Sequence, residues 1–495
     1  MHGVRSLAKD SFIYGGSAIA SKMMNWLLTV LFTHTLAKSD FGIMTNLYAY
    51  AALIIVVLTF GMETGFFRFA NQTDKYLPAT VYSTTLISVS IIVLVFLICF
   101  LSFFSFLRTY LWSSKIPGIY IRIVIVVLSM DAFSAIPFAY LRYKKRVLKF
   151  GILKLLNVVL YTFFCILFLV ICPQINKHSP SLITWFWKDN FRLGYVFIAN
   201  LLATFIEILC LLPELIGFKY RFDVSLAKGM FHYCFPLVIM GIAGVSNHVV
   251  DKLMFPAFYS GSLPMFDELG VYSACFKIAL IMMMFTQAFR YAYEPFFFEK
   301  SKEKDAKQLY ADVMKYFIIF GLLVFLGVVL YLDIIKYLIA PEYFGALRIV
   351  PIVLWGELFF AVYFNLSVWY KLVDKTYWGA IFSTIAFVIL IVVNIFFIPI
   401  YSYRACAWAG FTGDGFIMLL SYFIGQKYYP IRYDLKSIGF YTCLALGLYA
   451  VSYFVPIYNC WFHLAFNTIL IIIYLIVVIK RDLLLKNISF VNYFV

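Results

Sequence analysis

The stretch SDFGIMTNLYAYAALIIVVLTFGMETGFFRF, residues 39–69, is an apolar run that carries an acid and a base, Glu63 and Arg68, near its far end. About 20 apolar residues in a helix cross a ~30 Å hydrocarbon core, and this run is long enough to do so. A second stretch, DELGVYSACFKIALIMMMFTQAFRYAYEPFFF (267–298), has the same layout. With one beneath the other, Gly42 falls on Gly270, each following an acidic–apolar pair (Asp40-Phe41, Glu268-Leu269) and opening a span. The aromatic-rich exits coincide as well. The two stretches predict equivalent helices of an internal repeat.

Working outward, the rest of the chain has the same character. It has 495 residues, 64% hydrophobic and 13% charged, with a mean hydropathy of +0.92. A soluble protein carries about 25% charged residues. Apolar segments of spanning length recur from 11–36 and 41–67, through 229–258 and 269–298, to 436–457 and 461–479, which predicts about 14 helices. The expected fold is all-α, a polytopic integral membrane protein. A β-barrel is excluded, because its strands would alternate over ~10-residue segments. The repeat divides the chain into an N-terminal six-helix half (1–228), a C-terminal six-helix half (229–430), and two additional helices with a cytoplasmic tail (431–495). Six is even, so both halves insert in the same orientation, related by an axis along the membrane normal.

The net charge of +16 would suit nucleic acid on a soluble protein, but its distribution follows the spans. Lys and Arg cluster in RYKKRVLK (142–149), KYRFDVSLAK (219–228) and KSKEKDAK (300–307). Assigned to one side, these give a roughly three-to-one basic bias that predicts both termini in the cytoplasm. No nucleic-acid partner is expected. Segment 11–36 contains Lys22 and Asn25 and is too long for a signal-peptide core, so it is expected to remain as the first span. The nine cysteines are scattered without a C-x-x-C pair and read as packing residues rather than metal ligands.

Several chemistries lack their residues. No nucleotide-binding G-x-x-x-x-G-K-[ST] occurs, nor H-E-x-x-H, nor G-x-S-x-G. The longest expected outer loop, PQINKHSPSLITWFWKDNFR (173–192), is too short to hold a glycosyltransferase or polymerase acceptor. The expectation is a transporter rather than an enzyme, without metal or cofactor. The glycine pairs Gly241/Gly244 and Gly410/Gly413 read as sites of close helix packing.

Ionisable groups inside spans cost about 2.5–3.5 kcal/mol each on insertion scales, so they face a cavity or a partner. Gln287, Arg290 and Glu294 recur at helical spacing on one face of 269–298. Gly244, His248 and Asp251 do the same on 229–258, with Asn247 beside them and Lys252 adjacent. Lys22, Asn25 and Thr29 form a third stripe. The expected polar cavity has Lys22, Asn25, Asn247, Lys252, Lys277, Gln287 and Arg290 as ligands for an anionic, hydroxyl-rich substrate. Glu63, Asp251 and Glu294 are the expected coupling or gating carboxylates. Met62–Glu63 falls opposite Arg290 in the repeat, at similar depth, which suggests a latch between Glu63 and Arg290. On the blander reading Arg68 snorkels to headgroups, Glu294 neutralises Arg290, and His248 is a packing residue. Asp251 and Lys252, at successive positions, point partly to different faces. Asp131, Glu207, Glu357 and Asp414 read as isolated.

FGMETGFFRFAN (60–71), DKLMF (251–255) and ELGVYSACFKIA…FRYAYEPFFF (268–298) resemble the polysaccharide transporter, or oligosaccharide flippase, branch of the MOP superfamily. More narrowly, they look like its Bacteroidetes-type lipopolysaccharide or capsule biosynthesis members. The resemblance implies two MATE-like six-helix bundles in a V. It also implies transfer of an undecaprenyl-diphosphate-linked oligosaccharide from the cytoplasmic to the periplasmic leaflet of the inner membrane. Polysaccharide polymerase and glycosyltransferases of the same pathway would be its partners. Many relatives have arginine after the aspartate where this chain has Lys252, which keeps the cation and loses bidentate phosphate binding. The alternatives of the same fold are a MATE-type cation-coupled multidrug exporter and a lipid II flippase.

Overall fold

The computed structural model describes residues 20, 22–112, 116–216, 220–300, 306–373, 375–455 and 459–483, with 291–300 described as helix backbone alone. The described residues are mostly helical, without a strand. Thirteen of the helical segments are long and apolar enough to cross a membrane. The protein is a multi-pass membrane protein. The expected first span falls partly outside the described residues, which show it as helix over 22–35.

Contacts divide the chain into two compact units. The first runs to Ser273 and includes Leu390–Cys406, and the second holds Ala274–Ile389 and Ala407 onward. These units do not coincide with the expected boundary at 228. The physical reason is close backbone packing of 224–273 on the first half, described below.

In the first unit, α1 (22–35) leads to α2 (Lys38–Thr59) and α3 (Met62–Ala70). The sequence predicts one helix over 41–67, but the chain breaks at Phe60 and Gly61, both left-handed (φ 49° and 63°). A left-handed Phe is strained. Tertiary contacts hold it there: its ring packs edge-on to Phe231 at 5.2 Å, and the Gly61 carbonyl accepts from Cys234 Sγ at 3.4 Å. The turn lays Gly65 against α8 (Val224–Phe258), where a Cβ would sit 2.7 Å from Cys234 Sγ.

Between them run α4 (Pro78–Ser102), α5 (Gly118–Tyr143), α6 (Val147–Ile166) and α7 (Arg192–Leu211). Left-handed Lys145 (φ 54°) turns the corner from α5 to α6. That corner puts Arg146 (3.2 Å) and Lys149 (2.8 Å) on buried Glu214, whose carbonyl also accepts from the Tyr82 hydroxyl at 2.7 Å.

The helix α9 (Met265–Lys300) begins in the first unit and continues into the second. The second unit also holds α10 (Ala306–Leu330), α11 (Val350–Leu366), most of α12 (Tyr377–Tyr401) and of α13 (Tyr403–Tyr428), α14 (Leu435–Phe454) and α15 (Cys460–Val478). The two helices outside the repeat, α14 and α15, pack on α10. Buried Lys315 on α10 pairs with buried Asp482, which also accepts from the Tyr441 hydroxyl at 2.5 Å. A desolvated pair is costly to break, so it fixes the register of these helices.

Candidate functional site

The polar stripe of α8 is buried in the first unit against α2 and the start of α9. Asp251 and Lys252 are 6% and 8% exposed. The Lys252 ammonium donates to both Asp251 carboxylate oxygens at 3.1 and 3.0 Å, and the Tyr272 hydroxyl donates to one of them at 2.5 Å. Lys252 also donates to the His248 carbonyl at 3.2 Å. Across the helix interface, Asn46 Nδ2 donates to the Lys252 carbonyl at 2.9 Å.

This corrects the expectation that successive positions point Asp251 and Lys252 apart. A four-carbon stem lets the ammonium curl back one residue, and burial leaves it no better partner. Lys252 is therefore paired with Asp251. Equally, the Asp251 carboxylate already holds a cation of the chain's own. Lys22, exposed on α1, lies with Lys252 and Asp251 within electrostatic reach of the His248 ring. The structure thus brings Lys22, His248, Asp251 and Lys252 together. Asn25 is exposed on α1 and Asn247 is half-buried on α8.

Glu63, at the start of α3, pairs with Arg142 at 2.5 Å. Arg142 closes α5 and its guanidinium lies 5.1 Å from the Phe67 ring. Glu63 thus has a partner within the first unit, brought to it by the break at Phe60–Gly61. Arg68 stacks at 4.0 Å on Tyr233.

In the second unit, Lys277 and Gln287 are half-buried on α9 and Arg290 is exposed. The Glu294 side chain lies outside the described residues. Arg290 stacks on Phe364 at 4.1 Å, and Lys371 approaches the same ring at 4.8 Å. Two cations gathered on one aromatic ring make a local positive patch. Sequence spacing gives no hint of Lys371, because α10 and α11 separate it from α9 along the chain.

The acids read as isolated also have company. Glu207 accepts from Lys154 at 3.1 Å and Asn157 at 3.2 Å, and Asp131 accepts from Thr204 at 3.4 Å. Asp414 on α13 lies in the field of Glu357 on α11, where the two backbones approach so closely that a Cβ on Gly356 would sit 3.3 Å from Phe411 Cα. The acid pairs occupy corresponding helices of the repeat: α5 with α7, and α11 with α13. Of the glycines at 241 and 244, only Gly241 packs tightly, 2.9 Å from Val56 Cγ1, while Gly244 has nothing within 4 Å.

Comparison with solved structures decides the architecture. A structure described as lipid II flippase MurJ in an inward closed conformation matches with a TM-score of 0.72 at 16% identity, over 94% of this chain and 98% of that one. The fold is that of MurJ and the MATE transporters. An inward-facing multidrug resistance MATE transporter of the MOP superfamily matches with a TM-score of 0.63 at 12% identity, over 82% of this chain and 94% of that one. A mutant of the Vibrio cholerae MATE transporter VcmN matches with a TM-score of 0.56 at 13% identity, over 86% and 98% of the two chains. The MatE family model matches residues 254–396, from the end of α8 into α12. No curated protein sequence matches the chain.

Proposed function

We propose that the protein is a flippase for an undecaprenyl-diphosphate-linked oligosaccharide, acting in the bacterial inner membrane for lipopolysaccharide or capsule synthesis. Alternating access of two helical halves would carry the substrate from the cytoplasmic to the periplasmic leaflet. On this reading both termini are cytoplasmic, and the polymerase and glycosyltransferases of the pathway are its partners. The observation that carries it is the joint approach of Arg290 and Lys371 to Phe364, at 4.1 and 4.8 Å. A diphosphate needs more than one cation, and a guanidinium holds phosphate oxygens with two parallel hydrogen bonds. The near-complete overlap with a lipid II flippase supports a lipid-diphosphate substrate. Exposed Lys22 adds a cation in the first unit.

The exporter reading retains one observation of its own. Asp414 and Glu357 place two carboxylates in mutual range in the second unit, which would suit a cationic drug or a coupling cation. The cationic residues of α9 favour the flippase.

The deciding experiment is transport of labelled lipid-linked oligosaccharide in proteoliposomes. Arg290→Ala abolishes flipping and Arg290→Lys leaves it partial, because the point charge survives without the fork. Arg290→Gln with Glu294→Gln removes both charges and keeps hydrogen bonding. Normal flipping by that well-expressed double variant would rule out the diphosphate role of Arg290. Efflux of organic cations by the wild type, without flipping, would establish the exporter instead.

A further inference from the structure

At the end of α10 remote from Ala306, the second unit encloses a cavity of about 620 Å³. Its polar lining comes from the turn after α10, the stretch before α11, the end of α14 and the start of α15: Asp333, Lys336, Arg348, Ser452 and His463. Tyr449 and Tyr453 supply ring faces, their centroids 6.2 Å apart. Ligand sites fall in the range of about 300–1,000 Å³ and combine apolar walls with a few convergent polar groups.

Most of that polar lining is already satisfied. Asp333 Oδ1 accepts from the Lys336 ammonium at 2.9 Å, and Oδ2 lies 2.9 Å from His463 Nδ1. Behind His463, Ser452 donates to Asn467 Oδ1 at 2.7 Å, and Asn467 Nδ2 donates to the Leu330 carbonyl at 2.7 Å. The serine proton is thus committed to Asn467, with His463 Nε2 3.5 Å away. The Asp–His–Ser row is a scaffold that ties α10, α14 and α15 together, not an activated nucleophile.

Arg348 stands apart. Its side chain is exposed and makes no ion pair or hydrogen bond among the described residues. With Asp333 neutralised by Lys336, its guanidinium is the uncompensated charge of the cavity. The surroundings fix the depth. Tyr337, Tyr453, Phe454, Trp461 and Phe462 are strongly exposed here, Trp461 to 82%. Such a girdle of rings marks the level of lipid headgroups.

We propose that this cavity binds a phosphate-bearing ligand, the phosphodiester of an anionic lipid headgroup, with Arg348 as its anchor and Lys336 at its rim. The guanidinium fork matches phosphate oxygens, and the tyrosine rings cover the glycerol or sugar carried by the phosphate. The inference is independent of the transported substrate, and its test uses no transport, so its failure leaves the flippase reading untouched.

The full-length protein in neutral detergent is titrated with short-chain phosphatidylglycerol, short-chain phosphatidylcholine and inorganic phosphate. The expected result is saturable binding of phosphatidylglycerol that Arg348→Ala weakens about tenfold, the equivalent of one charge-assisted contact, while Arg348→Lys weakens it less, keeping the point charge without the fork. Binding of inorganic phosphate with the same dependence on Arg348 supports the site and identifies its source as a soluble phosphate. Phosphatidylglycerol binding that Arg348→Ala leaves unchanged, or binding of phosphatidylcholine with equal affinity, overturns the proposal. Arg348→Gln, which keeps part of the stem and loses the charge, reads the same way and guards against a packing effect of the alanine.

Discussion

Gly42 and Gly270 meet backbone to backbone, and their contacts are reciprocal. A Cβ on Gly42 would lie 2.0 Å from the carbonyl oxygen of Phe266, and one on Gly270 would lie 2.2 Å from that of Lys38. Each offending carbonyl belongs to the residue four before the other glycine. This is the local two-fold relation that an internal repeat requires when its equivalent helices cross at equivalent residues. It draws the start of α9 onto α2, and so into the first unit.

Neither overlap is relieved by moving a side chain, since the obstacle is backbone. Gly42→Ala and Gly270→Ala should each force the helices apart and destabilise the protein by about 2–3 kcal/mol, the upper range of overpacking. Gly244→Ala, with open space around it, should be neutral. Thermal unfolding of the purified variants in detergent checks this. Equal melting temperatures for all three would mean the crossing is not tight.

Asp251 and Lys252 are both nearly buried, so removing one leaves the other uncompensated. Lys252→Met should cost about 3–5 kcal/mol, as broken buried pairs do, and Asp251→Asn with Lys252→Met should recover much of it. Denaturant or thermal unfolding of the two variants measures the recovery. A double variant no more stable than Lys252→Met would show that the pair is not the interaction that matters.

Glu63 and Arg142 are partly exposed, at 40% and 35% of their side chains, so their pairing is worth at most about 1 kcal/mol of stability. Any larger effect belongs to the proposed transport. If they act as one unit in the proposed flipping, Glu63→Gln and Arg142→Gln should reduce it to the same level, with the double variant no worse than either. Additive losses would mean that Glu63 acts without Arg142.

Asp333 carries a pH dependence whose sign is fixed. Burial works against its charge, but Lys336 and His463 outweigh burial and hold its carboxyl below the usual range. A carboxyl depressed in the folded state contributes stability that is complete above its unfolded pKa and is lost as pH falls through the folded one. The advantage of wild type over Asp333→Asn should therefore be steady at neutral pH and shrink below about pH 4. Melting temperatures from pH 6 to pH 3 test it, and a constant gap would refute it.

The sequence by itself determined the membrane architecture, because a run of about 20 apolar residues has one stable solution in a bilayer, a spanning helix. It also matched Gly42 with Gly270, which meet backbone to backbone, and it set His248 and Asp251 on one stripe of α8. Tertiary structure alone decided the partners. Glu63 finds Arg142 at a separation of 79 residues, and Lys315 finds Asp482 at 167. Helical periodicity relates only residues a turn or two apart, so no spacing rule reaches such pairs. The break at Phe60–Gly61 was equally hidden, since a left-handed Phe opposes local preference and persists through packing on Phe231 and Cys234. Local hydropathy selects what enters the membrane, whereas the desolvation of charges inside it, paired one by one, selects which helices touch.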